Sequence, residues 1–301
     1  MKILVCGATG LIGRSVCKLL AEDGHHVSAT SRSANKPSGL AAKEVHQWDP
    51  HSGPPSASTL DGIEAIVNLV GEPIDARRWS DDQKKLIRDS RVVTTRNLVD
   101  GLRSLGAKPA VLVNGSAVGY YGNRGDEILE ETASSGRGFM SDVCQEWERE
   151  AQRATDIGIR LVQVRTGVVL SGDGGALKKM LLPFKLGIGG RLGNGKQWFP
   201  WIHIDDIAGI FRHAVINSSV RGPMNGVAPN PVTNAEFTRE LARALHRPAF
   251  FPVPEISLKV LLGEMSEVLF DSQRAVPSKA IATGYKFVYP DLASALKDLL
   301  D

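Results

Sequence analysis

Cysteine is scarce in this chain: Cys6, Cys17 and Cys144 are all it has, an odd number with no Cys-x-x-Cys pair. That excludes a disulfide framework and a thiolate zinc site, and leaves small, reduced, mostly buried side chains as the expectation. The seven histidines show no metal-ligand spacing, so no metal site is expected. No apolar run approaches the roughly 20 residues of a membrane span, and the first apolar residues end in a glycine loop rather than a cleavage site. The expectation is a cytoplasmic protein without a membrane partner. An excess of one charge is also missing: a net charge of +3 with scattered Lys and Arg offers nucleic acid no basic patch. Internal repeats and low-complexity linkers are absent, and the Pro/Ser/Gly-rich stretch 52–58 reads as a surface loop.

What is present begins at the N-terminus. The segment Lys2-Ile-Leu-Val-Cys-Gly-Ala-Thr-Gly-Leu-Ile-Gly13 runs a short apolar strand, Ile3 to Cys6 at its centre, into Gly7, Gly10 and Gly13. An amphipathic helix follows, with Val16, Leu19 and Leu20 on one face and Gly24 as its stop. A strand, a tight turn and a helix N-terminus are how a nucleotide pyrophosphate is held. Gly7 permits the turn, Gly10 lets the backbone approach the phosphates, and Gly13 lets the helix pack close to the strand. Exposed N–H groups and the positive end of the helix dipole meet the anion. Two residues, not one, separate Gly7 from Gly10. That Gly-x-x-Gly-x-x-Gly form resembles the extended short-chain dehydrogenase/reductase superfamily.

The second strand bears on cofactor choice. His26 to Thr30 reads as that strand, and an NAD-preferring site usually places a carboxylate at its end. No Asp or Glu occurs between Asp23 and Glu44. Ser31 and Arg32 stand there instead, a hydroxyl and a guanidinium suited to the 2′-phosphate of NADP(H). Asp49, after a third strand, is either an acceptor for the adenine amino group or a turn residue before Pro50.

Further strand-like runs at 65–69, 110–114, 160–165 and 224–227 alternate with helical patterns. Ser80 with Gln83 caps a long helix reaching about Leu105, and Thr233 with Glu236 caps another carrying Phe237, Leu241 and Leu245. Phe139, Val143, Trp147, Ala151 and Ala154 form the buried stripe of a third. The alternation implies an α/β fold, a Rossmann-type doubly wound parallel sheet with a smaller C-terminal substrate lobe. The NADP(H)-binding domain is expected over 1–170 with a returning segment at about 201–230, and the lobe over 171–301.

Longer motifs narrow the match. Val67-Asn-Leu-Val-Gly-Glu72, Arg77-Arg-Trp79, Ser90-Arg91 and Gly115-Ser-Ala-Val-Gly-Tyr-Tyr-Gly122 precede Val164-Arg-Thr-Gly-Val-Val-Leu170 and Leu181-Leu-Pro-Phe184. Trp201-Ile-His-Ile-Asp-Asp206, Asn225-Gly-Val-Ala-Pro229 and Ala282-Thr-Gly-Tyr285 follow in order. Over essentially its full length the chain resembles the "epimerase family" of atypical extended short-chain dehydrogenases/reductases, including that family's C-terminal module at about 247–301. Some members bear the names of sugar-nucleotide epimerases or cell-division-inhibitor homologues. The resemblance implies cofactor contacts at Thr9, Leu11 and Ile12 beside the glycines, at Ser31 and Arg32, at Leu69, Val70 and Gly71, at Arg91, and at Val169. Core packing is the competing explanation for Leu69, Val70 and Val169.

Related reductases and epimerases use a Ser or Thr, a Tyr, and a Lys four residues after the Tyr. The tyrosine moves a proton while hydride passes to or from the nicotinamide, and the lysine lowers the tyrosine pKa and binds the ribose. By that resemblance Ser116 occupies the serine position, but Met140 and Cys144 fall at the tyrosine and lysine positions. No Tyr-x-x-x-Lys occurs in the chain. Tyr120 or Tyr121, flanked by Gly119 and Gly122, is one acid/base candidate, with packing on cofactor or sheet as the alternative; Asp142 or Glu146 is the other, though both read as ordinary exposed helix residues. Trp198, Trp201 and His203 are expected to line the substrate pocket, with His203 equally able to face away from it. Asp205 or Asp206 is expected to cap the next helix, and Lys179, Lys185, Arg191 and Lys196 either gather round a substrate phosphate or stay solvated. Two functions are compatible with this. One is an NADP(H)-dependent oxidoreductase or epimerase on a small carbonyl or sugar, nucleotide-linked or free. The other is a non-catalytic or regulatory NADP(H)-binding protein. A monomer and a homodimer are equally open.

Overall fold

Successive residues of the first strand face opposite sides, and Ile3 to Cys6 are all buried. Ile3 and Val5 enter one apolar cluster, Leu4 and Cys6 another. A strand wrapped on both faces belongs inside a parallel sheet between two helical layers. The computed structural model, which describes residues 1–33 and 37–301, places it there. The central sheet consists of β1 (Lys2–Cys6), β2 (His26–Ser31), β3 (Glu44–Gln47), β4 (Ala65–Asn68), β5 (Val111–Ala117), β6 (Arg160–Thr166) and β7 (Gly222–Gly226). All pairings are parallel, in the order β7-β6-β5-β4-β1-β2-β3. The winding reverses between β1 and β4. In open α/β sheets such a switch point, at the carboxyl ends of the strands, is where ligands bind.

The longest helices are α1 (Leu11–Glu22), α2 (Asp81–Arg103), α3 (Phe139–Gln152), α4 (Gly175–Lys185), α5 (Ile204–Ile216), α6 (Asn234–Ala244) and α7 (Leu292–Leu300). α1 and α5 cover the Ile3/Val5 face through Val16, Leu20, Ile207 and Phe211. α2 and α3 cover the Leu4/Cys6 face through Leu98, Val99, Leu102 and Ala151. Ser80 caps α2, its Oγ accepting from the Gln83 N–H at 3.2 Å, with Asp81 and Asp82 in the first turn. Thr233 and Glu236 form a full capping box on α6. Within the 52–58 stretch read as loop, Ser56 caps one turn of helix, Ala57–Leu60.

After β6 the chain leaves the sheet to build a lobe, then returns at β7. Leu177 and Phe184 of α4, Phe237 and Leu241 of α6, and Leu292 and Leu296 of α7 pack there around Trp201. Asp206, fully buried in α5, ties the C-terminal segment to the sheet layer. Its carboxylate accepts from the Tyr285 hydroxyl at 2.9 Å and from the Val288 and Tyr289 N–H groups at 2.8 Å. Among the described residues no helix is long and apolar enough to cross a membrane.

Candidate functional site

The turn between β1 and α1 is built by its glycines. Gly7 has φ +79°, and a Cβ there would lie 2.6 Å from the carbonyl of Leu69. Both the backbone conformation and the space demand glycine. At Gly13 a Cβ would meet the Gly7 carbonyl oxygen at 2.3 Å, so the helix can approach β1 only without one. Gly10 is different. Its Cβ would come no closer than 3.4 Å to the protein, so the space above it is open. Gly10 is the N-cap of α1; no side chain caps that helix, and no acidic residue lies in its first turn. The first N–H groups of a helix have no partner within it. Left uncapped and free of carboxylates, they favour an anion. Leu11 and Ile12 pack partly on the core, so what they offer a ligand is their backbone.

From this turn a cleft of about 530 Å³ opens along the carboxyl ends of β1, β2 and β4. Gly7, Thr9 and Gly10 form one end, Ser31 and Arg32 the rim, and Leu69, Val70 and Gly71 the base. Leu69 and Val70 also pack against the two core clusters, so lining and packing coexist. Ser31 accepts from the Ser33 N–H at 3.2 Å, curling the chain as it leaves β2. Arg32 is exposed. Trp48, Pro50 and His51 extend the wall together with Glu72 and Pro73, and Ser90 joins it from α2. The sequence reading named none of these six as a site residue. The first three follow the third strand just as Ser31 and Arg32 follow the second, and that was the available signal. Asp49 is a turn residue: its carboxylate accepts from the His51 N–H at 3.1 Å and its carbonyl from Ser52 Oγ at 2.8 Å. Val169 packs on the core and is not part of the cleft wall. Arg91 leans on Gly71, where a Cβ would lie 3.2 Å from its guanidinium carbon.

The acid/base candidates are placed differently from one another. Ser116 is buried and donates to Glu148 at 2.7 Å. Glu148 also pairs with Arg165 through two bonds, Nε–Oε1 at 2.8 Å and Nη2–Oε2 at 2.9 Å. Burial opposes the Arg165 charge, but the Glu148 carboxylate outweighs it and holds the guanidinium above its ordinary pKa. Tyr121 is fully buried; its hydroxyl donates to Asn225 Oδ1 at 2.7 Å and accepts from Arg165 Nη1 at 3.0 Å. Burial raises its pKa, with Arg165 pulling the other way. Ser116 and Tyr121 are thus members of one internal network, their hydroxyls committed to protein partners. Tyr120 is half-buried, its ring 3.5 Å from the Arg165 guanidinium carbon. The α3 flank facing this turn carries Met140 and Cys144, against Gly119. Burial pushes the Cys144 thiol up to about 12, so it is neutral.

The expected substrate-pocket residues separate. Trp201 is core, 1% exposed, with Nε1 donating to the Asn230 carbonyl at 3.3 Å. His203, also 1% exposed, stacks on Tyr289 with ring centroids 3.9 Å apart. Its Nδ1 accepts from the Asp205 N–H at 3.1 Å, so His203 caps α5, not either aspartate. Neither residue faces a pocket: the alternation of Trp201, Ile202 and His203 runs between two packed layers, and both sides are filled. His203, Asp205 and Asp298 approach closely enough for a metal. Nδ1 is committed to the cap and Nε2 lies 3.2 Å from an Asp298 carboxylate oxygen, so the established role of His203 here is that of a cap. Trp198 alone adjoins a cavity. Its Nε1 donates to Asp126 at 2.9 Å, and Asp126, Lys196, Gln197 and Ser272 line a space of about 300 Å³. Lys179 is paired with Asp75 at 2.6 Å.

Comparison with known proteins agrees with this architecture. Residues 3–225 match the model of the NAD dependent epimerase/dehydratase family, and residues 253–299 that of a domain of unknown function, DUF1731. The epimerase family protein SDR39U1 homolog, chloroplastic, of Arabidopsis thaliana is 38% identical over 311 residues, spanning 100% of this chain and 87% of the relative. The crystal structure of the human epimerase family protein SDR39U1 (isoform 2) with NADPH superposes with a TM-score of 0.88 at 38% identity, over 99% of both chains. A nucleoside-diphosphate sugar epimerase from Corynebacterium glutamicum superposes at 0.81 with 34% identity, over 100% of this chain and 58% of that one. Glycine turn, sheet order and C-terminal module thus lead to one assignment: the chain belongs to the NAD dependent epimerase/dehydratase family, as one of its SDR39U1-like epimerase family proteins.

Proposed function

We propose that the cleft binds NADP(H) and that the protein uses it as an oxidoreductase or epimerase on a small sugar or carbonyl substrate, nucleotide-linked or free. One observation carries this reading: an uncapped, acid-free α1 N-terminus shares a cleft with a carboxylate-free end of β2, where Arg32 is exposed. The backbone N–H groups of Leu11, Ile12 and Gly13 would hold the diphosphate. Arg32 would pair with the 2′-phosphate, a bidentate fit that a ribose hydroxyl does not offer. Leu69, Val70 and Gly71 would run along the ribose. Once bound, the nicotinamide supplies the hydride acceptor or donor. NADPH in the human relative and the sugar-nucleotide name of the Corynebacterium relative support the two halves of the reading.

Among the acid/base candidates Tyr120 alone keeps a hydroxyl outside the Glu148–Arg165 network. It is assigned the proton transfer. A second reading, cofactor binding without catalysis, is favoured by Met140 and Cys144, which bring neither proton nor cation. A screen of sugar nucleotides and small carbonyls with NADPH-loaded protein separates them, scored by nicotinamide absorbance and by stereochemical inversion. The first reading expects turnover that falls by about 100-fold or more in Tyr120→Phe with NADPH affinity unchanged. Tight NADPH uptake with neither signal selects the second.

A further inference from the structure

The turn 123–126 beyond β5, the lobe loop 193–197 and the C-terminal segment 255–272 meet around the second cavity, of about 300 Å³. Small-molecule pockets begin at about this size, and none of its lining residues belongs to the cofactor cleft. Hydrogen bonds fix its walls. Ser272 Oγ donates to the Gly125 carbonyl at 2.7 Å and accepts from the Trp198 N–H at 3.0 Å. Gln197 Nε2 donates to the Leu192 and Leu269 carbonyls at 3.3 and 3.4 Å, and the Gly193 N–H to the Val253 carbonyl at 2.9 Å. Trp198 Nε1 holds Asp126 Oδ1, and the Trp198 ring is itself covered by Arg274, 4.4 Å from its centroid.

The polar side chains of the lining are anchored by one atom and keep another. Asp126 Oδ2 and Gln197 Oε1 remain as acceptors. The oxygens of Asn123 and Asn194 accept from the Ser272 and Lys196 N–H groups at 3.3 and 2.8 Å, which leaves both amide donors. Lys196 Nζ is a further donor. Among the described residues none of these remaining groups has a protein partner. Phe270 adds an aromatic ring, 3.3 Å from where a Cβ on Gly193 would lie. Glu255 is paired with Lys259 at 2.8 Å, so Asp126 and Lys196 leave the lining close to neutral.

A hydroxyl both donates and accepts, so a ring of hydroxyls needs donors and acceptors side by side, and its C–H face needs an apolar surface. The cavity supplies all three. A phosphate would find one ammonium opposed by the Asp126 carboxylate, and an apolar ligand would strip water from amides and a carboxylate without replacing it. We propose that this cavity is a second binding site, for a neutral saccharide ring. Asp126 and Gln197 accept from its hydroxyls, Asn123, Asn194 and Lys196 donate to them, and Phe270 lies against its C–H face. The inference does not depend on the NADP(H) reading. Because the walls come from three distant segments, a bound sugar ties the C-terminal module to the turn that follows Tyr120 and Tyr121.

The test is saturation-transfer NMR and calorimetry on the full-length protein. D-glucose, D-galactose and N-acetyl-D-glucosamine serve as neutral probes and D-glucuronate as the charged one. At least one neutral probe is expected to bind with a Kd of about 1 mM or tighter, and D-glucuronate more weakly. Asp126→Asn, which keeps an oxygen for Trp198 Nε1, and Lys196→Met are each expected to weaken that probe about 10-fold or more. Both positions are exposed, so melting temperature and NADPH uptake should stay those of the wild type. No uptake of any neutral probe, tighter binding of D-glucuronate, or binding that both variants leave intact overturns the inference. So does displacement of the sugar by NADPH, which would put the sugar in the cofactor cleft. If NADPH itself does not bind, the cofactor reading fails alone and the two variants still decide this one.

Discussion

Glu148 decides much of the chemistry at the residue scale. A glutamate on a helix usually faces solvent; this one is buried and accepts from Ser116 and from Nε and Nη2 of Arg165. The position of Ser116 at the end of its strand was legible from sequence. That its hydroxyl is consumed internally was not, because Glu148 and Arg165 lie on other elements and strand alternation alone does not say what waits on each side. His203 shows the same limit: its pattern permitted pocket or core, and Tyr289, just before α7, and Asp298 on it settle the matter. Its environment makes a pH prediction. Burial lowers the His203 pKa, with Asp205 and Asp298 opposing. The unfolded chain therefore binds the proton more readily than the folded one. The stability contribution is complete above the ordinary histidine value of about 6.5 and is lost as pH falls below it. His203→Asn keeps an acceptor for the Asp205 N–H. Its melting temperature is expected to fall less steeply between pH 7.5 and 5.5 than that of the wild type, with half-buried His213 retaining part of the slope. Equal slopes would remove His203 from the account.

Among the elements, the glycine turn separates structure from binding most cleanly. Gly13→Ala gains about 1 kcal/mol of helix propensity but drives a methyl to 2.3 Å from the Gly7 carbonyl oxygen, which is backbone and cannot yield. Overpacking costs of about 1–3 kcal/mol or more are typical, and against main chain the upper end applies; a net loss of about 2 kcal/mol in denaturant unfolding is expected. Gly10→Ala meets nothing closer than 3.4 Å at a φ of −73°, so stability should stay near wild type while cofactor uptake is lost. A Gly10→Ala protein that binds NADPH normally would place the phosphates elsewhere. Element identities were readable because local signals sufficed. Buried runs marked the strands, and Ser80 and Thr233 marked helix starts that the structure keeps. What escaped was set at a distance or by competing caps: His203 displaces two aspartates as the cap of α5, and Ser56 turns an apparent loop into one helical turn.

For the whole molecule, the sheet order puts the ends of β1, β2 and β4 side by side, so residues 7–10, 31–32 and 69–71 meet in one cleft although the sequence scatters them. The alternation of strands and helices implies a doubly wound sheet, which is why it was legible that these segments meet. The substrate half was less so. It depends on how the lobe and the C-terminal segment close over the sheet, held by Asp206 against Tyr285, Val288 and Tyr289 and by the pairing of 274–275 with 128–129. No periodicity encodes those contacts. The central claim is that this cleft selects the 2′-phosphate through Arg32. Calorimetric titration of wild type and Arg32→Ala with NADPH and with NADH tests it most directly. The account predicts that the wild type binds NADPH at least about tenfold more tightly, and that Arg32→Ala removes most of that preference while leaving NADH nearly unchanged. Equal affinity of the wild type for both cofactors, or equal losses for both in the variant, would contradict it.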